Sequence, residues 1–278
     1  MTFAHGKHKD TAPPTLHPPM LSPTTATATA REPPAALLAR VIFGSYAWLV
    51  FIAIAFALLL LLLVVPGMDR RRHLAGVASR LILRLTFTRL VVTGAEHLPA
   101  GQCVVAANHA SYIDAIVIKA VLPENYAYVV KREMANVPLA GLLLRRIGTE
   151  FVERFNRHKG SLDARRVLRT ASAGQSLLFF PEGTFEGEPG LLKFHSGAFK
   201  SAAYARCPVV PCVIRGTRAI LQSPRFFPRP GLIEVELLPP ILPPADLESE
   251  DVARQLREQT RAAILERLGE PDRGGVFA

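Results

Sequence analysis

Cys103-Val-Val-Ala-Ala-Asn108-His109-Ala-Ser111-Tyr112-Ile113-Asp114 is the stretch on which the reading of this chain turns, with Ala115-Ile-Val-Ile118 directly after it. A short apolar run reads as a strand over Cys103 to Ala107, and an apolar helical pattern opens at the acid. Five residues separate His109 from Asp114. On one continuous helix their side chains would point about 140° apart, so they meet only if His109 lies in the turn ahead of the helix. The strand's end puts it there. His109 is then a candidate general base, and Asp114 accepts from its other ring nitrogen, fixing the tautomer and stabilising the imidazolium. Ser111-Tyr-Ile-Asp114 equally fits a capping box, in which Ser111 caps the helix and Asp114 sits at its third position. On these residues alone both readings stand.

Outward from this stretch, short apolar runs alternate with helical patterns. Strands are expected over Ala127 to Val130, Glu150 to Val152, Ser176 to Phe180, Val209 to Ile214 and Leu232 to Leu237. Helices are expected near 112 to 122, 138 to 146, 159 to 173 and 195 to 205, and over Glu248 to Leu268, which carries Val252, Leu256, Ile264 and Leu268 as a partial stripe. This order predicts an α/β domain with a mixed, largely parallel sheet flanked by helices. The Pro-rich stretches at 224 to 230 and 239 to 244 read as loops.

Toward the N-terminus the character changes. Residues 1–36, with Pro13, Pro14, Pro18, Pro19, Pro33 and Pro34 around a Thr/Ala stretch, are expected to form a disordered tail. From Val41 to Val65 there is no charged residue. As a helix this run reaches about 37 Å against a hydrocarbon core of about 30 Å, so it can anchor the chain in a membrane. Arg70, Arg71, Arg72, Arg80, Arg84 and Arg89 follow it, which places the C-terminal side in the cytoplasm by the positive-inside rule. Leu74, Val77, Leu81 and Leu85 recur at helical spacing. That stripe suits an interfacial helix and suits a helix packed on the domain core equally well, and a hairpin dipping into one leaflet is a third arrangement. The division is therefore 1–36 tail, 37–89 anchor and interfacial helix, and 90–278 a single domain, held to the membrane by a single pass or a monotopic anchor.

Composition agrees. Of 278 residues 49% are hydrophobic and 20% charged, with a mean hydropathy of +0.22, apolar for an ordinary soluble protein. The three cysteines Cys103, Cys207 and Cys212 form no C-x-x-C pair, so neither a disulfide scaffold nor a structural zinc site is suggested. A net charge of +10 suits phosphorylated ligands or an anionic surface. Because the densest arginines abut the apolar run and no aromatic platform interleaves with them, lipid headgroups fit better than nucleic acid. Nucleophile-elbow, P-loop, dinucleotide-binding and zincin motifs are all missing from the sequence, which removes the chemistries they serve.

A second polar cluster, Phe180-Pro181-Glu182-Gly183-Thr184, follows another strand. Taken alone it is a turn. Together with His109 and Asp114 it places polar groups at one strand-end edge, where open α/β sheets hold their ligands.

These residues resemble the glycerolipid acyltransferases of the His-x4-Asp type, most closely the bacterial 1-acyl-glycerol-3-phosphate acyltransferases. The resemblance runs from about Val91 to Thr217 in ordered blocks. Asn108-His109 through Asp114 is the first, and Lys131-Arg-Glu-Met134 is similar to the segment after it. Gly148-Thr-Glu-Phe151-Val-Glu-Arg154 is similar to the family's Gly-x-x-Phe-x-x-Arg. Phe180 to Thr184, with Phe194 and Gly197-Ala198, is similar to the third block and Val209-Val-Pro211-Cys-Val to the fourth.

The resemblance implies acyl transfer from acyl-CoA or acyl carrier protein to the free hydroxyl of a lysolipid, with His109 as base and Asp114 as its partner. It implies that Lys131 and Arg154 hold the acceptor's phosphate, Arg154 as a planar fork and Lys131 as a point charge. Backbone N–H groups at Gly183 and Thr184 are candidates for the oxyanion, and Glu182 for holding a hydroxyl or bracing the turn. No metal or bound cofactor is implied. The expected partners are the acyl donor and a membrane lysolipid, with no nucleic acid. One position departs from the family pattern: Phe185 stands where phosphate-acceptor members usually carry arginine, with Lys193 available to compensate. A different acceptor, another lysophospholipid or an amino-acid-containing lysolipid, is the second reading, and a non-catalytic membrane scaffold the third.

Overall fold

The computed structural model describes residues 33–153, 157–222 and 224–274. Two helices lead, α1 Pro34–Val64 and α2 Met68–Leu85. The domain then runs β1 Thr88–Thr93, β2 Val104–Ala107, α3 Asp114–Val121, β3 Tyr126–Lys131, α4 Ala140–Arg146, β4 Glu150–Val152, α5 Arg157–Ser172 and β5 Ser176–Phe179. It ends with α6 Gly197–Ala205, β6 Val209–Arg215, α7 Thr217–Ile220, β7 Gly231–Leu237 and α8 Ser249–Leu268.

The seven strands form one sheet in the order β1-β7-β6-β2-β5-β3-β4. Every pairing is parallel except β6 with β7. Central β2 and β5 are buried at every position, as expected of parallel strands covered on both faces. On one face Phe194, Phe199, Leu256 and Ile264 bring α6 and α8 onto the sheet. On the other, Val117 and Ile118 of α3 and Leu83 of α2 pack over Val105, Ile233 and Val235. In β7 burial alternates, with Ile233, Val235 and Leu237 inward.

The leading helices refine the reading of the stripe on α2. Its packed positions are small residues: a Cβ on Gly76 would stand 3.3 Å from Lys119 O of α3, and Ala75 and Ala78 pack against Leu58 and Leu62 of α1. Val77, Leu81 and Leu85 are 43, 42 and 40% exposed and point away from the domain core, whereas Leu74, the first residue of the stripe, packs with the cluster of Leu58 and Leu62. Arg72 departs from the expectation that the arginine cluster faces outward. It is buried, and its guanidinium donates to Ile147 O (3.0 Å) and Gln175 Oε1 (3.1 Å), tying α2 to two loops of the domain.

Sequence periodicity carried the helix of this region through Arg89, whereas the chain leaves it at Leu85 and enters β1, an edge strand paired only with β7. Half-exposed and mixed in pattern, such a strand has little period-two signal. Helix α1 begins at Pro34, inside the stretch read as a tail; residues 1–32 lie outside the described residues.

Candidate active site

The sheet register sets His109 and the Phe180 loop side by side. Ala106 pairs with Phe179 of β5, and Ala107 with Cys212 of β6, so the chain segments after β2 and β5 leave the same edge as neighbours. Asn108 fastens this edge: its amide donates to Ile214 O (3.0 Å) and accepts from Ile214 N (2.7 Å). A backbone that has just left a ladder has its hydrogen bonds supplied by one side chain.

His109 follows in the turn before α3. Its Nδ1 lies 2.7 Å from Asp114 Oδ2. The same oxygen accepts from Ala110 N (2.7 Å) and Ser111 N (2.8 Å). Asp114 thus joins the two readings of the sequence, because taking the Ser111 N–H is one half of a capping box and taking His109 is the dyad. The other half of the box does not form. Ser111 Oγ donates instead to Leu221 O (2.7 Å), clasping the turn to the segment after α7. Asp114 is fully buried, and its Oδ1 has no hydrogen-bond partner among the described residues. A carboxylate facing Nδ1 keeps the proton on that nitrogen, which leaves Nε2 as the basic atom on the opposite side of a ring that is 18% exposed.

Glu182 grips the same turn from the neighbouring loop. Its Oε1 accepts from His109 N (2.6 Å) and its Oε2 from Leu192 N (2.8 Å), so each carboxyl oxygen already serves a backbone donor. Burial pushes its pKa up to about 7 against these two favourable bonds. Gly183 sits at φ +75°, a conformation glycine adopts without strain, and its N–H donates to Phe180 O (3.0 Å) to close the turn. Thr184 is exposed beyond it.

The loop then folds aromatic rings around the imidazole, an arrangement with no signal in the sequence. Phe180 stacks on His109 with ring centroids 4.4 Å apart and planes 23° apart. Phe185 meets the imidazole at 4.6 Å, inclined at 62°, and stands at 90° to Tyr112 at 4.7 Å. Arg218 pins this loop through Glu186 O (2.6 Å), Glu188 O (2.7 Å) and the Glu270 carboxylate (2.9 Å). Only the full chain path brings position 218 beneath position 186, so reading by motif passed it over.

Lys131 ends β3 and is exposed on the same sheet edge. Since β5 lies between β2 and β3, Lys131 stands roughly 10 Å along the edge from the histidine's strand. Arg154 follows β4 and lies outside the described residues. Lys193, beside the buried Phe194, is exposed. Behind the His109 turn an apolar cavity opens between the leading helices and the domain, walled by Phe43, Trp48, Leu83, Ile113, Ile116 and Leu221 among others. No cluster of three or more His, Cys, Asp or Glu side chains suited to a metal occurs among the described residues.

Known proteins are similar to this chain in sequence and in fold. The family model Acyltransferase matches residues 89–215. A 1-acyl-sn-glycerol-3-phosphate acyltransferase from Limnanthes alba is 30% identical over 204 residues, 72% of either chain. The alpha form of that enzyme from Mus musculus is 34% identical over 162 residues, 55% of either chain. The crystal structure of the LPA acyltransferase from Thermotoga maritima superposes with a TM-score of 0.68 over 83% of this chain and 97% of its own, at 21% identity. With a strand-end histidine held by a buried aspartate inside the matched segment, and with relatives of this similarity, the chain belongs to the acyltransferase family.

Proposed function

We propose that this chain is a membrane-associated 1-acyl-sn-glycerol-3-phosphate O-acyltransferase, which moves a fatty acyl group from acyl-CoA or acyl carrier protein to lysophosphatidic acid and gives phosphatidic acid. The observation that carries the reading is the 2.7 Å contact of His109 Nδ1 with buried Asp114, set at a strand-end edge beside an apolar cavity. His109 Nε2 takes the proton of the lysolipid hydroxyl as its oxygen attacks the thioester carbonyl. A positioned base of this kind contributes about 10²- to 10⁴-fold. The tetrahedral intermediate then collapses, the C–S bond breaks, and the imidazolium returns the proton to the departing thiolate. Asp114 stabilises the imidazolium between these steps. No acyl-enzyme is required, because the thioester arrives activated. Lys131 and Arg154 hold the acceptor's phosphate, and the Thr184 N–H is the better oxyanion donor since that of Gly183 is committed to its turn. Glu182 serves as a brace for the His109 backbone.

The geometry of α1 supports a monotopic attachment, and the arginines that follow it in sequence favour the cytoplasmic side for the domain. This helix is the one among the described residues long and apolar enough to cross a membrane. It touches the domain at Gly44 and Trp48, and again at Leu58 and Leu62, which pack with Ala75, Ala78 and Ile147. A helix held against a polar domain over about 27 Å cannot immerse that length in hydrocarbon on all sides.

Phe185 favours a second reading, a different lysolipid acceptor, because an aromatic ring and not a cation faces the imidazole. Membranes containing the wild type or His109→Ala, given labelled acyl donor and a panel of lysolipids, decide between the two. Product from lysophosphatidic acid that vanishes in the variant is expected. Product from another lysolipid alone moves the assignment to the second reading, and equal activity of His109→Ala refutes the catalytic role.

A further inference from the structure

We propose that the loop Pro224–Pro230, between α7 and β7, is a second lipid-contacting element, seated at the interfacial depth of a phospholipid bilayer beside α1. The proposal rests on the membrane attachment argued above, and it adds a contact that lies some 180 residues away from α1 in sequence and outside the leading helices.

The loop reads Pro224-Arg-Phe-Phe-Pro-Arg-Pro230. It is locked to α1 at two points. Phe227 lies so close to Gly44 that a Cβ there would stand 2.5 Å from its ring, so the glycine is what admits the contact. Trp48 stacks on Phe226 at 5.1 Å and 22°, and its Nε1 donates to Phe226 O (2.8 Å). Although half-sandwiched in this way, Phe226 remains 65% exposed. It continues the outward apolar surface of α1, where Ile42, Leu49 and Ile52 are 61, 67 and 59% exposed. A ring stacked on a lipid-facing helix shares that helix's surroundings.

Part of the loop's backbone is satisfied internally, which suits the interfacial depth and not the hydrocarbon centre. Loops do not enter lipid when their N–H and C=O groups are left without partners. Here three prolines remove three N–H donors. The indole satisfies Phe226 O, while Arg225 N donates to Gln222 O (2.6 Å) and Arg229 N to Ile220 O (2.9 Å). Arginines flank the aromatic pair, with Arg225 exposed, which suits snorkelling to anionic headgroups at the boundary of the acyl region. Trp, Phe and Arg at one level form the composition of an interfacial belt. Pro228 and Arg229 also line the apolar cavity behind His109, so a lipid-seated loop brings the cavity wall to the bilayer.

The test uses the full chain with Phe226→Cys carrying an environment-sensitive fluorophore. All three native cysteines are buried, so the label reports the introduced thiol. Tyr204→Cys on α6, on the opposite face of the sheet, is the control. Vesicles of phosphatidylcholine and phosphatidylglycerol are added. A blue shift with increased emission is expected at 226 and not at 204, with stronger quenching by nitroxides placed shallow in the lipid than deep. Trp48, the only tryptophan, reports α1 independently through quenching by brominated lipids. Trp48 quenched by lipid while the 226 label stays as accessible to iodide as the 204 label overturns the proposal and leaves the attachment standing. A chain that fails to float with vesicles overturns both.

Discussion

Replacing Asp114 and His109 one at a time separates the catalytic work proposed for the pair from its structural work, because the two side chains carry different loads. Asp114 Oδ2 accepts three donors in a site closed to solvent, and two of them are the backbone N–H groups of Ala110 and Ser111. In Asp114→Ala both amides lose their partner while buried, at about 1–3 kcal/mol each. The sum, roughly 2–6 kcal/mol, lowers Tm by about 5–20 °C in a domain of this size. His109→Ala leaves those two bonds intact and gives up chiefly the stacking with Phe180, about 0.5–1.5 kcal/mol. Acyl transfer falls by about 10²- to 10⁴-fold in both variants, since each removes the oriented base. Asp114→Asn is the decisive third variant. The oxygen at the Oδ2 position takes both backbone N–H groups and Nδ1 alike, so an asparagine oxygen seated there keeps the fold and the tautomer, with its NH₂ at the place of Oδ1, and removes only the negative charge that stabilises the imidazolium. Near wild-type Tm with kcat lowered, though less than in His109→Ala, is expected, measured by calorimetry and by labelled acyl transfer. Wild-type kcat in Asp114→Asn would refute the role of the charge, and a Tm loss in His109→Ala as large as in Asp114→Ala would refute the division of labour.

Further outcomes follow from the loop that surrounds the dyad. Phe185→Ala removes the inclined ring from His109 and Tyr112, a contact worth about 0.5–1.5 kcal/mol, and lowers kcat by about 2- to 10-fold with KM for the donor unchanged; Phe185→Tyr restores it, and a variant Phe185→Ala with full kcat shows that the ring does not position the base. Glu182 titrates near 7 in the folded protein, above its value in the unfolded chain, so the folded state holds this proton more tightly. Its contribution to stability is therefore complete below about pH 4.5 and declines as pH rises through about 7. Calorimetry of wild type and Glu182→Gln at pH 5 and pH 8 should show the wild type losing ground to the variant at the higher pH; a difference that does not change with pH contradicts the raised value.

Much of this protein was legible in one dimension. Strand and helix alternation from residue 103 onward reflects the sheet's burial on both faces, which demands apolar runs such as Val104–Ala107 and Ser176–Phe179 whatever packs on them. The dyad was legible for a related reason: a strand end and a helix start five residues apart leave one geometry in which His109 and Asp114 meet. Burial on both faces decides the first and short chain separation the second, and the sequence states both directly.

What sequence could not decide depends on partners far away along the chain. Whether the α2 stripe faces the core or the outside was settled by Gly76, small enough for α3 to approach, and by Ala75 and Ala78, which receive α1. Arg72 looked like its neighbours until its guanidinium met carbonyls and an amide brought in by residues 124, 147 and 175. Glu182 reads as a turn residue or a substrate ligand in the motif, and only the folded edge supplies the His109 and Leu192 amides that occupy its two oxygens. The aromatic enclosure of the imidazole and the grip of Phe226 and Phe227 on α1 arise in the same way. Such contacts join surfaces that acquire neighbours only when the sheet closes its register, so no local pattern encodes them.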